Sequence, residues 1–597
     1  MLRRPLALVS LVVAAVLAAP GGPLPAAAAT PPKTPVATGF GGAVASVDAD
    51  ATQVGVEVLR HGGNAVDAAV AAAATLGVTE PFSSGIGGGG FFVFYDARSR
   101  TVRTLDGREA APRSMGENAF VNPATGLPYD FQEARVSGIS AGVPGTPLLW
   151  QTALRQWGTI SWRDALRPAT RVAENGFVVD PTFATQVSDN RNAFGQFSST
   201  SALYLPGGQP PAVGSTFRNP DLAKTYRLLA DQGVGSLYHG VLARDIVNTV
   251  QHPPVSPAPI GTWAFPIRPG GMTVSDLARY RVRTPAPTHS TYRGIDVYGM
   301  STPSSGGTAV GEALNILENA NLGALSRTQA LHDYLEASAL AFADRNRYVG
   351  ADTPPAVLRE LLSQGFAKQR FCQIDPAHAL TKPVAPGTLG ARGCAAAPAA
   401  TSDSVEHGTT NLTVADRWGN VVEYTLTIEQ TGGNAMVVPG RGFLLNNELT
   451  DFNFTPTQGS APDPNMPAPG KRPRSSMSPT ILLKHGRPFL ATGSPGGSTI
   501  ITTVLQTLVN RLDFRMSLPD AIAAPRATQR NTAQVQAEPA FLALPEASAL
   551  AALGHVFASN PEIGAATGIE FLGDGRLLAA AEPTRRGGGA AAVVRTR

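Results

Sequence analysis

Gly408-Thr409-Thr410-Asn411-Leu412-Thr413-Val414-Ala415-Asp416, followed by Arg417-Trp418-Gly419-Asn420 and then Val421-Val422-Glu423-Tyr424-Thr425-Leu426-Thr427, is the stretch that decides the reading of this chain. Residues 410–416 alternate Leu412, Val414 and Asp416 with Asn411, Thr413 and Ala415. That period of two, rich in Thr and Val, predicts a strand. Residues 417–420 carry Gly and Asn where a positive φ is needed and predict a four-residue turn, with 421–427 as the returning strand. With Asp416 opposite Val421, Thr410 would face Thr427, and the Thr427 hydroxyl would come within reach of Thr409. Threonine is common in strands, so two of them at the end of a hairpin have an ordinary reading as strand filler.

Around this hairpin the 597-residue chain is 43% hydrophobic and 15% charged, enough for a substantial core under a lightly charged surface. Its 63 Gly and 50 Pro predict many turns. The formal net charge is +4, of which Arg3 and Arg4 supply two, and no run of five basic residues occurs. Nothing here suits nucleic acid or acidic lipid as a partner.

Residues 1–29 read as a signal peptide. Arg3 and Arg4 precede an apolar run over 6–19, and Ala27-Ala28-Ala29 offers a small-residue cleavage site. The run is too short to span a bilayer as a helix, so a secreted or periplasmic protein with no membrane anchor is expected, cut near Ala29. Cys372 and Cys394 are the only cysteines, and in an exported protein they read as a disulfide. They bracket a Pro/Gly-rich segment, and closing that loop contributes about 3 kcal/mol in the chain-entropy account.

Upstream, Asn64 is a good N-cap for an Ala-rich helix over 65–76, after a helix over 51–62. Gly85 to Gly90 formally match G-x-G-x-x-G, but a strand-like FFVFYDA follows where a dinucleotide site needs a helix. Strands over 91–96 and 101–106 deliver Arg108. Residues 140–350 read as mostly helical, with long helices over 308–319 and 328–348. Residues 350–408 read as a Pro/Gly-rich linker.

The motifs TTNLTVADRWGN (409–420), GRGFLLNNELTDF (440–452), GKRPRSSMSPT (470–480), TGSPGG (492–497), GGNAVDAAVAAAATLGVTEPFSSGIGGGGFF (62–92) and DGREAAP (106–112) resemble, in order, those of the γ-glutamyltranspeptidases. These are N-terminal-nucleophile hydrolases. The resemblance covers nearly the whole mature chain. It implies a four-layer αββα sandwich (an α/β, or α+β, fold), with two mainly antiparallel sheets flanked by helices. It also implies self-cleavage before Thr409 into a large (30–408) and a small (409–597) subunit that share one fold as a heterodimer.

The chemistry suits these residues. A threonine hydroxyl needs an adjacent base to act as a nucleophile. An α-amine titrates near pH 7.7–8.0, so a new chain terminus supplies that base within the same residue. The resemblance assigns nucleophilic attack to Thr409, its positioning to Thr427, and the oxyanion hole to the backbone of Gly496 and Gly497. Arg108, with Ser475 and Ser476, would take the substrate α-carboxylate, for which a guanidinium has the right two-pronged geometry. Glu448 and Asp451 would take its α-ammonium; on their own they read as solvated loop acids.

Two departures stand out. Glu429 occupies a position where the family often has asparagine, which bears on substrate preference. ATQRN follows Pro525-Arg526 where the family is rich in histidine. The expected activity is γ-glutamyl hydrolysis and transfer, from glutathione-like donors to water, amino acids or peptides, without metal or cofactor. The alternatives are a related glutaryl or cephalosporin acylase, a poly-γ-glutamate-cleaving enzyme, or a catalytically silent secreted binding protein.

Overall fold

The computed structural model describes residues 33–391, 393–394 and 408–596. The expected signal peptide and the segment 395–407 before the expected cut lie outside the described residues.

Twelve strands form one long sheet folded back on itself. In chain order they are β1 (Val36–Ser46), β2 (Gly89–Asp96), β3 (Thr101–Asp106), β4 (Thr288–Tyr292), β5 (Ile295–Gly299), β6 (Gly408–Asp416), β7 (Val421–Glu429), β8 (Thr480–Lys484), β9 (Arg487–Gly493), β10 (Thr567–Phe571), β11 (Leu577–Ala581) and β12 (Ala590–Arg595). Hydrogen bonding runs β3-β2-β7-β6-β1-β11-β10-β9-β8-β5-β4, with β12 also on β1. The pairs are antiparallel.

β1 is the corner. Residues 36–39 pair with β11, and residues 42–46 pair with β6. Gly41, between the two stretches, and Gly42, at the start of the second, take φ 85° and 132°. A side chain would be strained there, so the two glycines let one strand serve both halves of the sheet. Beyond the corner, β9 and β10 lie against β6 and β7, which makes the two inner layers.

Helices cover the outer faces. α1 (Ala49–Arg60) packs on β1 and α2 (Ala65–Thr79) on β6 and β7; α3 (Gly306–Leu317) covers β4 and β5, α4 (Arg327–Tyr348) packs on α3, and α5 (Thr499–Leu512) lies on β9. This is the expected αββα sandwich. Asn64 caps α2 as expected: its side chain accepts from the Val66 and Asp67 N–H groups at 2.9 and 3.0 Å. The small side chains of α2 bring it close to the sheet. The inner strands are buried on both faces: in β2, Phe92 and Phe94 join the core under α2, while Phe91, Val93 and Tyr95 join the core of the second half.

Three local expectations are corrected. The stretch 140–350 is mostly helical but also holds the β4–β5 hairpin, turned by Arg293 and Gly294 at φ 50° and 73°. Two successive positive φ values make a tight hairpin turn, and THSTY and IDVYG alternate as strands do, so the signal was present. The Pro/Gly-rich linker is partly folded: helices Pro355–Leu361 and Gln364–Phe371 lead to Cys372, which is bonded to Cys394 as expected. The third correction, the register of the β6–β7 hairpin, bears on the site.

Candidate active site

The β6–β7 turn has three residues, not four. The Asp416 N–H donates to the Asn420 carbonyl at 3.1 Å, and Gly419 takes φ 88°, which completes a three-residue loop. The Asp416 carboxylate fixes this choice by accepting from the Trp418 N–H (2.9 Å), the Asn420 N–H (3.0 Å) and the Asn420 side-chain amide (2.8 Å). Ala415 therefore faces Val421, and Thr409 itself, not Thr410, lies opposite Thr427. A one-residue shift in an antiparallel pair turns the opposing side chain to the other face.

At the far end the register slips between Gly408 and Thr409, so that Gly408 faces Glu429, which sits at φ 76°. The Thr427 hydroxyl accepts from the Glu429 N–H at 2.8 Å and donates to the Gly408 carbonyl at 2.6 Å. The Thr409 hydroxyl lies 3.4 Å from it. Thr409 and Thr427 are only 4% and 2% exposed. The carbonyl of the Gly408–Thr409 peptide is thus polarised by one buried hydroxyl, with a second hydroxyl beside it.

Arg108 follows β3, and the short helical turn Glu448–Asp451 faces it. One guanidinium nitrogen ion-pairs with Glu448 and another with Asp451, while Nε and Nη2 donate to the Pro473 (3.2 Å) and Arg474 (2.9 Å) carbonyls. All three side chains are at most 4% exposed. The two ends of the expected recognition apparatus therefore neutralise each other, as buried charges must. Asp106 supports Arg108 from below by accepting its N–H at 2.9 Å.

Glu429 joins this group. The Asn447 side-chain amide donates to it, and its carboxyl is held well above the usual carboxylate range, first by burial and then by the Asp451 charge. Burial and the Asp451 charge both favour its protonated form, so this acid weighs less on the charge of the pocket than the sequence suggests.

Arg108, Thr409, Thr427, Glu429, Glu448, Asp451 and Ser475 line a single narrow pocket with Met477 and Ile500. Ser476 is placed differently. Its hydroxyl accepts from Arg345 at 2.8 Å, while the Ser475 carbonyl accepts from the N–H and hydroxyl of Ser305 at 2.8 and 2.7 Å. Gly496 borders the adjoining larger cleft. Gly496 and Gly497 take φ 132° and 58°, immediately before α5, and a Cβ on Gly496 would meet Gly564 Cα at 3.2 Å. Their N–H groups donate to no acceptor among the described residues, which leaves them available to an oxyanion beside a helix N-terminus.

Sequence reasoning missed Arg586. Its guanidinium donates to the Thr409 carbonyl and, at 2.6 Å, to the Ser83 hydroxyl, from a backbone at φ 54°. Glu80 lies 3.9 Å away, its carboxyl pushed up to about 7, mainly by burial. The only hint was Arg585-Arg586 before Gly587-Gly588, a charged pair entering a turn. Asn447 and Arg345, which hold Glu429 and Ser476, gave no sequence signal. The glycine-rich stretch ending at Gly90 runs into β2 and not into a helix, so it is not a dinucleotide motif. The possible metal donors His332, Glu336 and His555 do not line this pocket.

Comparison with known proteins agrees with this geometry. The family described as Gamma-glutamyltranspeptidase matches residues 51–593. Over 554 residues the chain is 37% identical to a "Glutathione hydrolase proenzyme" of Bacillus subtilis (strain 168), covering 90% of each. It is 34% identical over 560 residues to an "Acylase ACY 1 proenzyme" of Pseudomonas sp. (strain SE83), covering 91% of this chain and 92% of the other. The crystal structure of a cephalosporin acylase from Bacillus halodurans is similar with a TM-score of 0.79 at 28% identity, over 95% of this chain and 98% of that one.

Proposed function

This chain belongs to the γ-glutamyltranspeptidase family, and from that membership we propose how it works. It is an enzyme of the γ-glutamyltransferase and glutathione hydrolase type, made as a proenzyme. After export and loss of residues 1–29, the Thr409 hydroxyl attacks the Gly408 carbonyl carbon. The C–O bond forms, the Gly408–Thr409 C–N bond breaks, and the hydroxyl proton passes to the departing nitrogen. Water then hydrolyses the resulting ester, leaving fragments 30–408 and 409–597 within one fold. The observation that carries this reading is the Thr427 hydroxyl on the Gly408 carbonyl at 2.6 Å, with the Thr409 hydroxyl 3.4 Å from Thr427.

In the mature enzyme the freed amine of Thr409 takes the proton from its own hydroxyl as that oxygen attacks the γ-carbonyl of a glutathione-like donor. The N–H groups of Gly496 and Gly497 hold the oxyanion. The leaving amine takes the proton, and water or an amino acid resolves the γ-glutamyl ester. Arg108, with Ser475 beside it, takes the donor α-carboxylate, and Glu448 and Asp451 take the α-ammonium. A donor therefore exchanges the two internal ion pairs of Arg108, with Glu448 and with Asp451, for pairs to its own carboxylate and ammonium. Ser476 acts through Arg345 as a positioning residue.

The test is N-terminal sequencing of the smaller fragment, expected to read Thr-Thr-Asn-Leu, together with glutamate release from glutathione. A fragment starting at Thr410 or elsewhere removes Thr409 from its role. No helix of the described residues is long and apolar enough to cross a membrane, which is compatible with export. The acylase reading draws support from the similarity to acylases. A panel of γ-glutamyl and glutaryl amides separates the two, with faster turnover of γ-glutamyl amides expected.

A further inference from the structure

Away from the pocket, α4 places His332 and Glu336 four residues apart, on one face of the helix. His555, in the loop before the short strand Phe557–Ser559, comes back against them. The three side chains are buried, and one ligand atom of each lies within 4.8 Å of the others. Among the described residues no other group of three such donors comes together. His332 Nδ1 and His555 Nε2 are 2.9 Å apart, and His555 Nε2 is 3.8 Å from the Glu336 carboxylate. Around a tetrahedral zinc ion, two donors stand about 3.3 Å apart, between these two distances.

The surroundings favour an ion in two further ways. His332 Nε2 contacts the Asp375 carbonyl at 2.9 Å. That contact makes Nε2 the protonated nitrogen and leaves the Nδ1 lone pair facing His555 Nε2, the arrangement in which metal-bound imidazoles are usually held. The Glu336 oxygen nearest His555, Oε1, is also the one that Lys382 ion-pairs with, while Oε2 of the same carboxylate is buried with no hydrogen-bond partner. We propose that His332, His555 and Glu336 form a divalent-metal site of the zinc class, with Glu336 shared between the ion and Lys382. The set of two imidazoles and one carboxylate suits zinc. The sequence gave no sign of it, because His555 lies 223 residues from His332. The site would clasp α4, the disulfide-linked segment through Asp375, and the C-terminal part of the chain.

Lys382 makes the proposal sharp, because its charge opposes any ion bound to the same carboxylate. Zinc chloride titrated into the full chain, stripped with EDTA, should bind at one equivalent by calorimetry. Cobalt(II) should give the visible bands of a tetrahedral site. His555→Ala should abolish both, while His378→Ala, at an exposed imidazole nearby, should change neither. Lys382→Met should tighten zinc binding at least about tenfold. Absence of saturable uptake by the wild type, or uptake unchanged in His555→Ala, overturns the site. Zinc affinity unchanged in Lys382→Met overturns the shared carboxylate. If His555→Ala does not fold, the cobalt spectrum of Glu336→Gln decides: altered bands support the site, and bands identical to the wild type's overturn it.

Discussion

At its Asp416 end the β6–β7 hairpin closes on a carboxylate that accepts four hydrogen bonds, one of them from the Ala65 N–H at the start of α2. At its Thr409 end the ladder is bulged, Glu429 holds a positive φ, and among the described residues the Thr409 hydroxyl has one hydrogen-bond neighbour, at 3.4 Å. Both ends are buried and polar. The first is satisfied by its own turn and sets the register. The second is left unfinished, with a polarised carbonyl, a loosely held hydroxyl and buried charges that pair with one another. Strain and incomplete pairing gather where bonds are to be exchanged, and the satisfied end holds them in place.

Substitutions at each end should behave accordingly. The largest effect is expected from Thr409→Ala, which removes the hydroxyl proposed both to cut the chain and to act as the nucleophile. It should run as a single chain with turnover down by at least about a thousandfold; two fragments on a denaturing gel would refute the assignment. Next is Arg108→Ala. It should lose at least about tenfold in kcat/KM on a γ-glutamyl amide and much less on a glutaryl amide, while still cutting itself. It strands Glu448 and Asp451, so it should also cost about 3–5 kcal/mol in denaturant unfolding. Activity on both amides equal to wild type's would make Arg108 a purely structural group.

Asp416→Ala acts at the satisfied end. It should lower stability by about 2–4 kcal/mol by stranding several buried donors, yet leave kcat/KM of the folded protein within about twofold of wild type. A large drop in kcat without loss of stability would erase the contrast between the ends. The smallest effect is expected from Glu429→Gln and shows in pH dependence. The Glu429 carboxyl is held well above its ordinary value by burial and then by Asp451. Its contribution is present below the unfolded pKa and lost as pH rises through the folded one. The glutamine variant cannot ionise, so its melting temperature should fall less steeply than wild type's on the alkaline side. Parallel curves would show that Glu429 is charged at neutral pH.

Much of this was legible because it is local. The alternation of 410–416 announced β6, Asn64 announced the start of α2, and the motifs around Arg108, Glu448 and Gly496 announced the family. Seven of the singled-out residues line one pocket, to which Met477 and Ile500 add apolar surface that was not foreseen, while Ser476 and the two glycines lie outside it. The register was not, because alternation fixes which residues share a face but not how many sit in the turn. That count was settled by the Asp416 carboxylate.

The chain's own order of residues thus determined the strands, the caps, the glycine pairs that permit close backbone approach, and the family with its αββα sandwich. These depend on neighbours a few positions away. Only the tertiary structure decided that Arg108 pairs with both Glu448 and Asp451, that burial and Asp451 push the Glu429 carboxyl up, that Arg586 reaches the Thr409 carbonyl, and that His332 meets His555. Each joins groups far apart in the chain, and each turns on burial and on distances of a few ångströms. Coulomb and desolvation energies change steeply over that range, and no sequence pattern records them.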